Sequence, residues 1–176
     1  MSADVSEAVD IAVVVETAAW IEAMPEAEEI CREIAAAALM AALARGPALA
    51  DRIELAVVLA DDAVIRELNR TYRGQDKATN VLSFASLDEE DAPVPEDGPL
   101  MLGDVVIAYE TTLAEAERDG KPLVDHLSHL VVHGVLHLVG FDHEEEDEAE
   151  EMEALETAVL ASLGIPDPYN DGLEGA

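Results

Sequence analysis

The chain has 176 residues, half of them apolar, with 40 acidic against nine basic side chains and a formal net charge of −31. This length fits a single domain, 1–176, with a sizeable core, and no apolar run approaches the roughly 18 residues of a membrane span. Such a negative charge excludes broad, nonspecific binding to nucleic acid, because phosphate contacts need Lys or Arg.

The N-terminal third predicts two strands with a helix between them. The first ten residues carry acids where an export signal would carry positive charge, and Cys31 is the only cysteine. We therefore expect a cytoplasmic protein without an intrachain disulfide and without membrane contact. Residues 11–16 and 53–60 are rich in β-branched side chains and predict strands. Residues 26–46 begin with acids, continue with alanines and end in Arg-Gly, which predicts a helix.

A basic cluster lies on the next predicted helix and the loop after it. Asp61 or Asp62 is placed to cap a helix over 63–72, which has an apolar face. Four of the nine basic residues fall within residues 66–77, where only two acids oppose them. They are Arg66, Arg70, Arg73 and Lys77. Any anion site is therefore expected to be local and built from this segment, although solvated surface charges have the same pattern.

Two further strands and an acidic loop follow. Residues 80–85 and 102–109 predict strands. Residues 88–99, between them, hold six acids, three prolines and one glycine, which predicts a mobile surface loop.

The C-terminal half predicts three helices, over 111–118, 123–139 and 146–163, and a disordered tail over 170–176. Met152, Leu155, Val159 and Leu163 are expected on the buried face of the last helix. The element order is close to βαββ-loop-β followed by a helical half, which indicates one α/β layer domain.

The helix over 123–139 is apolar nearly all round, which predicts that it is buried. Its histidines fall within an arc of roughly 80° on one stripe, which indicates that they face a cleft or a metal. They are His126, His129, His133 and His137. His133 and His137 are one turn apart and can bind one ion, and Gly140 permits a turn that returns His143 to it.

Three imidazoles with one open position are typical of a catalytic zinc site, so we predict a Zn²⁺ ion on His133, His137 and His143. The roles of His126 and His129 stay open. The three alternatives are support of the metal ligands, contact with the substrate, and no special role. The acids from Glu144 to Glu156 are predicted to be mainly a solvated face of the last helix.

Gly134 separates this motif from the metzincin proteases, which share its histidine spacing but have a catalytic Glu after the first histidine. Glycine inside a helix costs about 1 kcal/mol relative to alanine, which predicts that a backbone or a substrate approaches closely there. A zinc site without this base suits a phosphodiester, because that reaction mainly needs charge stabilisation. The cation would come from the segment that holds Arg73.

Three motifs together resemble the YbeY family of bacterial rRNA maturation factors, which are zinc-dependent endoribonucleases specific for single strands. They are 133-HGVLHLVGFDH-143, 68-LNRTYRGQDKATNVLSF-84 and 102-LGDVVI-107. The resemblance covers about residues 50 to 170. Ala78, Ala85 and Phe141 depart from the residues that family members often have there, and none of these changes removes a metal ligand.

The resemblance implies a mixed sheet of about four strands flanked by about five helices, with one zinc on His133, His137 and His143. It assigns the functional arginine to Arg73, and we expect Arg73 and Lys77 to contact the substrate phosphate. The implied process is rRNA processing and ribosome quality control, including maturation of the 16S rRNA 3′ end. The implied partners are single-stranded rRNA, the small ribosomal subunit with one of its proteins, and a ribosome-associated GTPase.

Two other functions stay open. One is a metal-dependent hydrolase of another substrate, such as a peptide, with a base from outside the motif. The other is a ribosome-assembly factor whose zinc is structural. With 3% aromatic residues, the chain has no evident platform on which RNA bases would stack.

Overall fold

The structure, a computed structural model, describes residues 9–44, 53–85, 100–139 and 146–165. Within these ranges, four strands form one sheet and six helices flank it. The strands are β1 Val9–Val15, β2 Ile53–Ala60, β3 Val81–Ala85 and β4 Leu100–Ala108. The helices are α1 Ala18–Ala23, α2 Ala27–Leu43, α3 Asp62–Arg73, α4 Tyr109–Asp119, α5 Leu123–Val139 and α6 Glu146–Ser162. The predicted α/β class is confirmed, and the six-residue helix α1 is an addition to the predicted elements.

The sheet is mixed, with the strand order β1-β2-β4-β3. β1 pairs with β2 and β2 with β4 in parallel, whereas β3 pairs with β4 in the antiparallel direction. Among the described strands, β3 therefore lies at one edge and pairs with β4 alone. Ser83 and Phe84 of this edge strand pair with Val105 and Asp104 of β4, so their side chains point to opposite faces of the sheet.

The larger core lies on the face of the sheet that α2 and α5 cover. Val57, Val105 and Ile107 point to this face and are fully buried. The opposite face carries a smaller cluster around Ile65 of α3 and Val106 of β4. Each large apolar side chain buried in this way contributes about 1.5–3 kcal/mol to folding. The alternation of residues along the strands therefore gives the sheet a helical layer on each side.

The ends of α3 follow from specific residues. The Asp61 carboxylate accepts a hydrogen bond from the backbone N–H of Val64 at 2.9 Å and caps the helix, as one of the two predicted alternatives requires. Asp62 instead accepts from the backbone N–H of Thr111 at 3.0 Å and from its hydroxyl at 2.8 Å. Gly74 ends the helix with φ of 70°. Asp62 thereby joins α3 to α4, and Arg73 lies on the last turn.

The C-terminal helices agree with their predicted bounds within two residues, and α5 has the predicted bounds at both ends. The placement of Leu163 on the buried face of α6 is wrong: Leu163 follows the helix, is 37% exposed, and Leu160 is buried in its place. The acidic segment 88–99, the tail 170–176, Gly140 and His143 lie outside the described residues. No helix of the described ranges is long and apolar enough to cross a membrane.

Candidate metal centre

Four histidines of α5 form a continuous row along one face of the helix. The ring centroids of His126 and His129 are 6.5 Å apart, those of His129 and His133 are 6.3 Å apart, and those of His133 and His137 are 4.8 Å apart. The other faces of α5 are buried, with Leu127 and Val131 among the fully buried residues. The row is therefore the polar side of a buried helix, as its spacing predicts.

A buried carboxylate organises the middle of this row. Glu156 of α6 is fully buried, and its two oxygens lie 3.0 Å from His129 Nε2 and 2.6 Å from His133 Nδ1. In its ionised form this carboxylate only accepts hydrogen bonds, so both ring nitrogens then donate. His133 in its neutral form then carries its lone pair on Nε2, which is the nitrogen that a metal ion would use. Glu156 thus fixes both the orientation and the tautomer of a predicted ligand.

The prediction that the acids of α6 are mainly solvated is wrong for Glu156. Asp147, Glu150 and Glu153 are exposed as expected, but Glu156 is not. It lies four residues after Met152 and three before Val159, on the apolar face that the helical spacing predicts. An acid on that face has to be buried, and a buried carboxylate needs donors. The helical period contained the signal, but the surrounding run of acids concealed it.

The donor set fits a zinc ion as far as the structure describes it. The rings of His133 and His137 are adjacent. The Glu156 carboxylate lies at Nδ1 of His133, and a zinc-binding histidine usually has such a carboxylate at the ring nitrogen that does not bind the metal. The third predicted ligand, His143, lies outside the described residues, within which no group of three His, Cys, Asp or Glu side chains is placed to hold a metal. Cys31 is fully buried in the larger core, and burial raises the pKa of its thiol to about 12.

His126 belongs to a separate cluster at the start of the row. Its Nε2 lies 2.8 Å from Glu115 Oε1, and the side-chain amide of Asn80 donates to the same oxygen at 2.9 Å. This arrangement joins α5, α4 and the start of β3. Of the two histidines whose role the sequence left open, His129 shares a carboxylate with a predicted ligand, whereas His126 joins three elements of the fold.

Gly134 marks the point where α5 packs most closely on the sheet. A Cβ atom at this position would lie 2.5 Å from Cγ1 and 3.0 Å from Cγ2 of Val105. The Ser83 hydroxyl donates to the carbonyl of Gly134 at 3.4 Å. The close approach that the sequence predicts is therefore made by side chains of β4 and β3. A glutamate at this position would overlap Val105, so this packing disfavours the protease base.

We expect Gly134→Ala to destabilise the protein by up to about 2 kcal/mol. Overpacking against Val105 costs about 1–3 kcal/mol, and the better helix propensity of alanine returns about 1 kcal/mol. In a Val105→Ala background the clash is absent, and the same substitution should be neutral or stabilising. Urea unfolding of the four proteins of this double-mutant cycle measures the coupling. Equal effects of Gly134→Ala in the two backgrounds would contradict the packing explanation.

The basic cluster contains two neutralised and two uncompensated side chains. Arg66 donates to Asp76 at 2.7 Å, and Arg70 is paired with Glu67. These hydrogen bonds lower the pKa of both carboxyls and keep the pairs charged. Arg73 and Lys77 are exposed, and neither has a carboxylate partner within the described ranges. The two predicted phosphate contacts are thus the members of the cluster with positive charge available for an anion.

Arg73 is connected to the histidine helix through the edge strand. Its guanidinium Nη2 donates to the carbonyl of Ser83 at 3.3 Å, and the hydroxyl of Ser83 bonds to the carbonyl of Gly134. Gly134 follows His133 in the chain. β3 therefore brings a residue 60 positions upstream to the flank of the helix that carries the predicted ligands. No pattern in the sequence predicts the contact of Ser83 with Arg73 or its contact with Gly134.

Comparisons with known proteins agree with this assembly of motifs. A family model described as Endoribonuclease YbeY matches residues 20–164. A protein of Paramagnetospirillum magneticum named Endoribonuclease YbeY is 58% identical over 164 residues, which cover 93% of this chain and 97% of that protein. Proteins with the same name from Rhodopseudomonas palustris and a Bradyrhizobium species are 56% and 54% identical and cover 83% and 84% of this chain, and 84% and 85% of their own lengths.

Proposed function

We propose that this chain, which belongs to the YbeY endoribonuclease family, is a zinc-dependent endoribonuclease that cleaves single-stranded RNA. The relatives carry the name of an endoribonuclease. The histidine motif supplies a metal site and Arg73 supplies a positive charge for the phosphate, which are the two parts that the reaction needs. The observation that carries the proposal is the bond between Glu156 and His133, because it prepares one imidazole nitrogen for a metal next to a strand that holds Arg73.

The proposed zinc ligands are His133, His137 and His143. A zinc ion held there supplies a Lewis acid for a phosphoryl oxygen or lowers the pKa of a bound water. The remaining chemistry belongs to side chains of the protein. Arg73 presents a planar fork of N–H donors, which matches the oxygens of a phosphate and stabilises the negative charge that develops on them. Lys77 adds a second, more mobile positive charge.

We further propose that the substrate is ribosomal RNA, that the activity includes maturation of the 16S rRNA 3′ end and ribosome quality control, and that it takes place in the cytoplasm. A chain with a net charge of −31 repels free RNA over most of its surface. Delivery of the substrate by the small ribosomal subunit, through one of its proteins or a ribosome-associated GTPase, resolves this difficulty. Under this proposal the ribosome provides the affinity for RNA, and Arg73 and Lys77 position the phosphate that is cleaved.

The proposal is tested by incubating the zinc-loaded protein with single-stranded RNA, the same RNA in a duplex, and casein. We expect cleavage of the single strand, loss of that cleavage when zinc is removed with a chelator, and recovery when zinc is returned. Casein is expected to stay intact. The His133→Ala/His137→Ala double variant, purified and assayed for RNA cleavage in the same way, is the control for contaminating nuclease, and its metal content shows whether zinc is bound elsewhere.

Three outcomes would contradict the proposal in different ways. A double variant that keeps a full equivalent of zinc would show that the ion binds elsewhere. Histidine-dependent cleavage of casein would favour a peptidase. Intact RNA with the zinc-loaded protein would favour an assembly factor with structural zinc.

A further inference from the structure

An exposed aromatic ring lies beside Arg73 at the end of α3. Tyr72 is 68% exposed, which is the largest value among the large apolar side chains of the described residues. Its ring packs against Phe84 of β3, with the ring centroids 5.5 Å apart and the planes at 66°. An edge contact of this kind holds the tyrosine ring in place and leaves most of its surface in solvent.

Tyr72 and Arg73 contact neighbouring residues of the same edge strand. Tyr72 packs on Phe84, and Arg73 donates to the carbonyl of Ser83. Ser83 and Phe84 are successive residues, about 3.3 Å apart along the strand, so the ring and the guanidinium reach the same short part of the β3 edge. One side chain offers a flat apolar surface, and the other offers donors for an anion. A nucleotide has the same two parts, a base and a phosphate.

The local charge favours an anion at this position. Arg66 and Arg70 are neutralised by Asp76 and Glu67. Among the described residues, no carboxylate pairs with Arg73, next to Tyr72, or with Lys77 in the loop after the helix, so these two side chains carry the available positive charge of the segment.

We propose that Tyr72 is a stacking platform for one unpaired base of the RNA, next to the phosphate that Arg73 holds. The inference rests on the proposed function and assigns to it a residue that distinguishes single-stranded from paired substrates. Stacking on an aromatic ring accepts any base, but a base inside a duplex is already stacked on its neighbours. Under this proposal, Tyr72 supplies a stacking platform that the low aromatic content of the sequence does not reveal.

The test is binding of the chelator-treated protein, which is expected not to cleave RNA, to a short single-stranded RNA that contains 2-aminopurine, whose fluorescence is quenched by stacking. The RNA is checked on a gel after each titration to confirm that it is intact. Tyr72→Ala is expected to weaken binding about 10-fold and to abolish the quenching, which is the size of effect that loss of one stacked base produces. Tyr72→Phe keeps the ring and should bind within about 2-fold of the wild type.

Met40→Ala is the matched control, because Met40 is another exposed apolar side chain on a different helix and its loss should change nothing. With the same RNA annealed to its complement, the preference of Tyr72→Ala for the single strand over the duplex should be about 10-fold smaller than that of the wild type.

Unchanged binding of Tyr72→Ala would overturn the inference even if the wild type cleaves RNA. Equal losses in Tyr72→Ala and Tyr72→Phe would also overturn it, since they would assign the effect to the hydroxyl. Cleavage is measured separately. A protein that binds RNA through Tyr72 but does not cleave it would retain the platform and refute the proposed nuclease activity.

Discussion

Replacement of Arg73 by alanine is expected to slow cleavage of single-stranded RNA by about 100- to 1,000-fold while the zinc content stays the same. The expected loss is large because Arg73 is the arginine of its cluster without a carboxylate partner among the described residues. Its guanidinium is held at the edge strand that contacts the histidine helix through Ser83. The measurement is the single-turnover rate with the protein in excess, together with metal analysis of the same sample.

Two further variants distinguish phosphate recognition from a general effect of charge. Arg70→Ala removes an equal charge from the same helix, but Arg70 is already paired with Glu67, so its cleavage rate should stay close to that of the wild type. Arg73→Lys keeps the charge and loses the planar fork, and it should recover only part of the rate. Equal effects of Arg70→Ala and Arg73→Ala would contradict a specific role for Arg73, as would loss of zinc from the Arg73 variant.

The sequence was sufficient for the regular elements because local periodicity determines them. The β-branched run of 53–60 forms β2 with the predicted bounds, and the apolar pattern of 123–139 forms α5 in the same way. Helix α1 has only six residues, too few for a periodic pattern to become visible. Its Trp20 is fully buried and donates to the carbonyl of Ala60, so tertiary contacts stabilise this helix.

The sequence predicted only those parts of the candidate site that lie on a single helix. The stripe of histidines on α5 follows from the helical period, whereas the contacts of Glu156 and Arg73 join elements that are distant in the chain. Gly134 shows the same division. The sequence indicates that something approaches closely, but only the fold identifies Val105. The zinc itself stays a prediction, since His143 lies outside the described residues.

Loss of the Glu156 carboxylate is expected to weaken zinc binding about 10- to 100-fold, which is the usual effect of removing a group that supports a metal ligand. Glu156→Gln is the informative substitution because glutamine has nearly the same shape but only one acceptor oxygen. With an ionised carboxylate, His129 and His133 both donate to it, so in the variant one of them has to face the amide N–H₂ group with a lone pair. If His133 changes its tautomer, the proton moves to the nitrogen that the metal needs.

Glu156→Gln should also lower the stability of the metal-free protein. This effect does not depend on catalysis. A buried polar pair with one mismatched hydrogen bond costs about 1–3 kcal/mol, so chelator-treated Glu156→Gln should unfold at a lower urea concentration than chelator-treated wild type. Glu153→Gln is the matched control, since Glu153 is an exposed acid of the same helix. Zinc affinity, measured by competition with a chromogenic chelator, should fall only in the Glu156 variant. If both variants bind zinc as the wild type does, Glu156 serves the fold alone and His133 is oriented by other contacts.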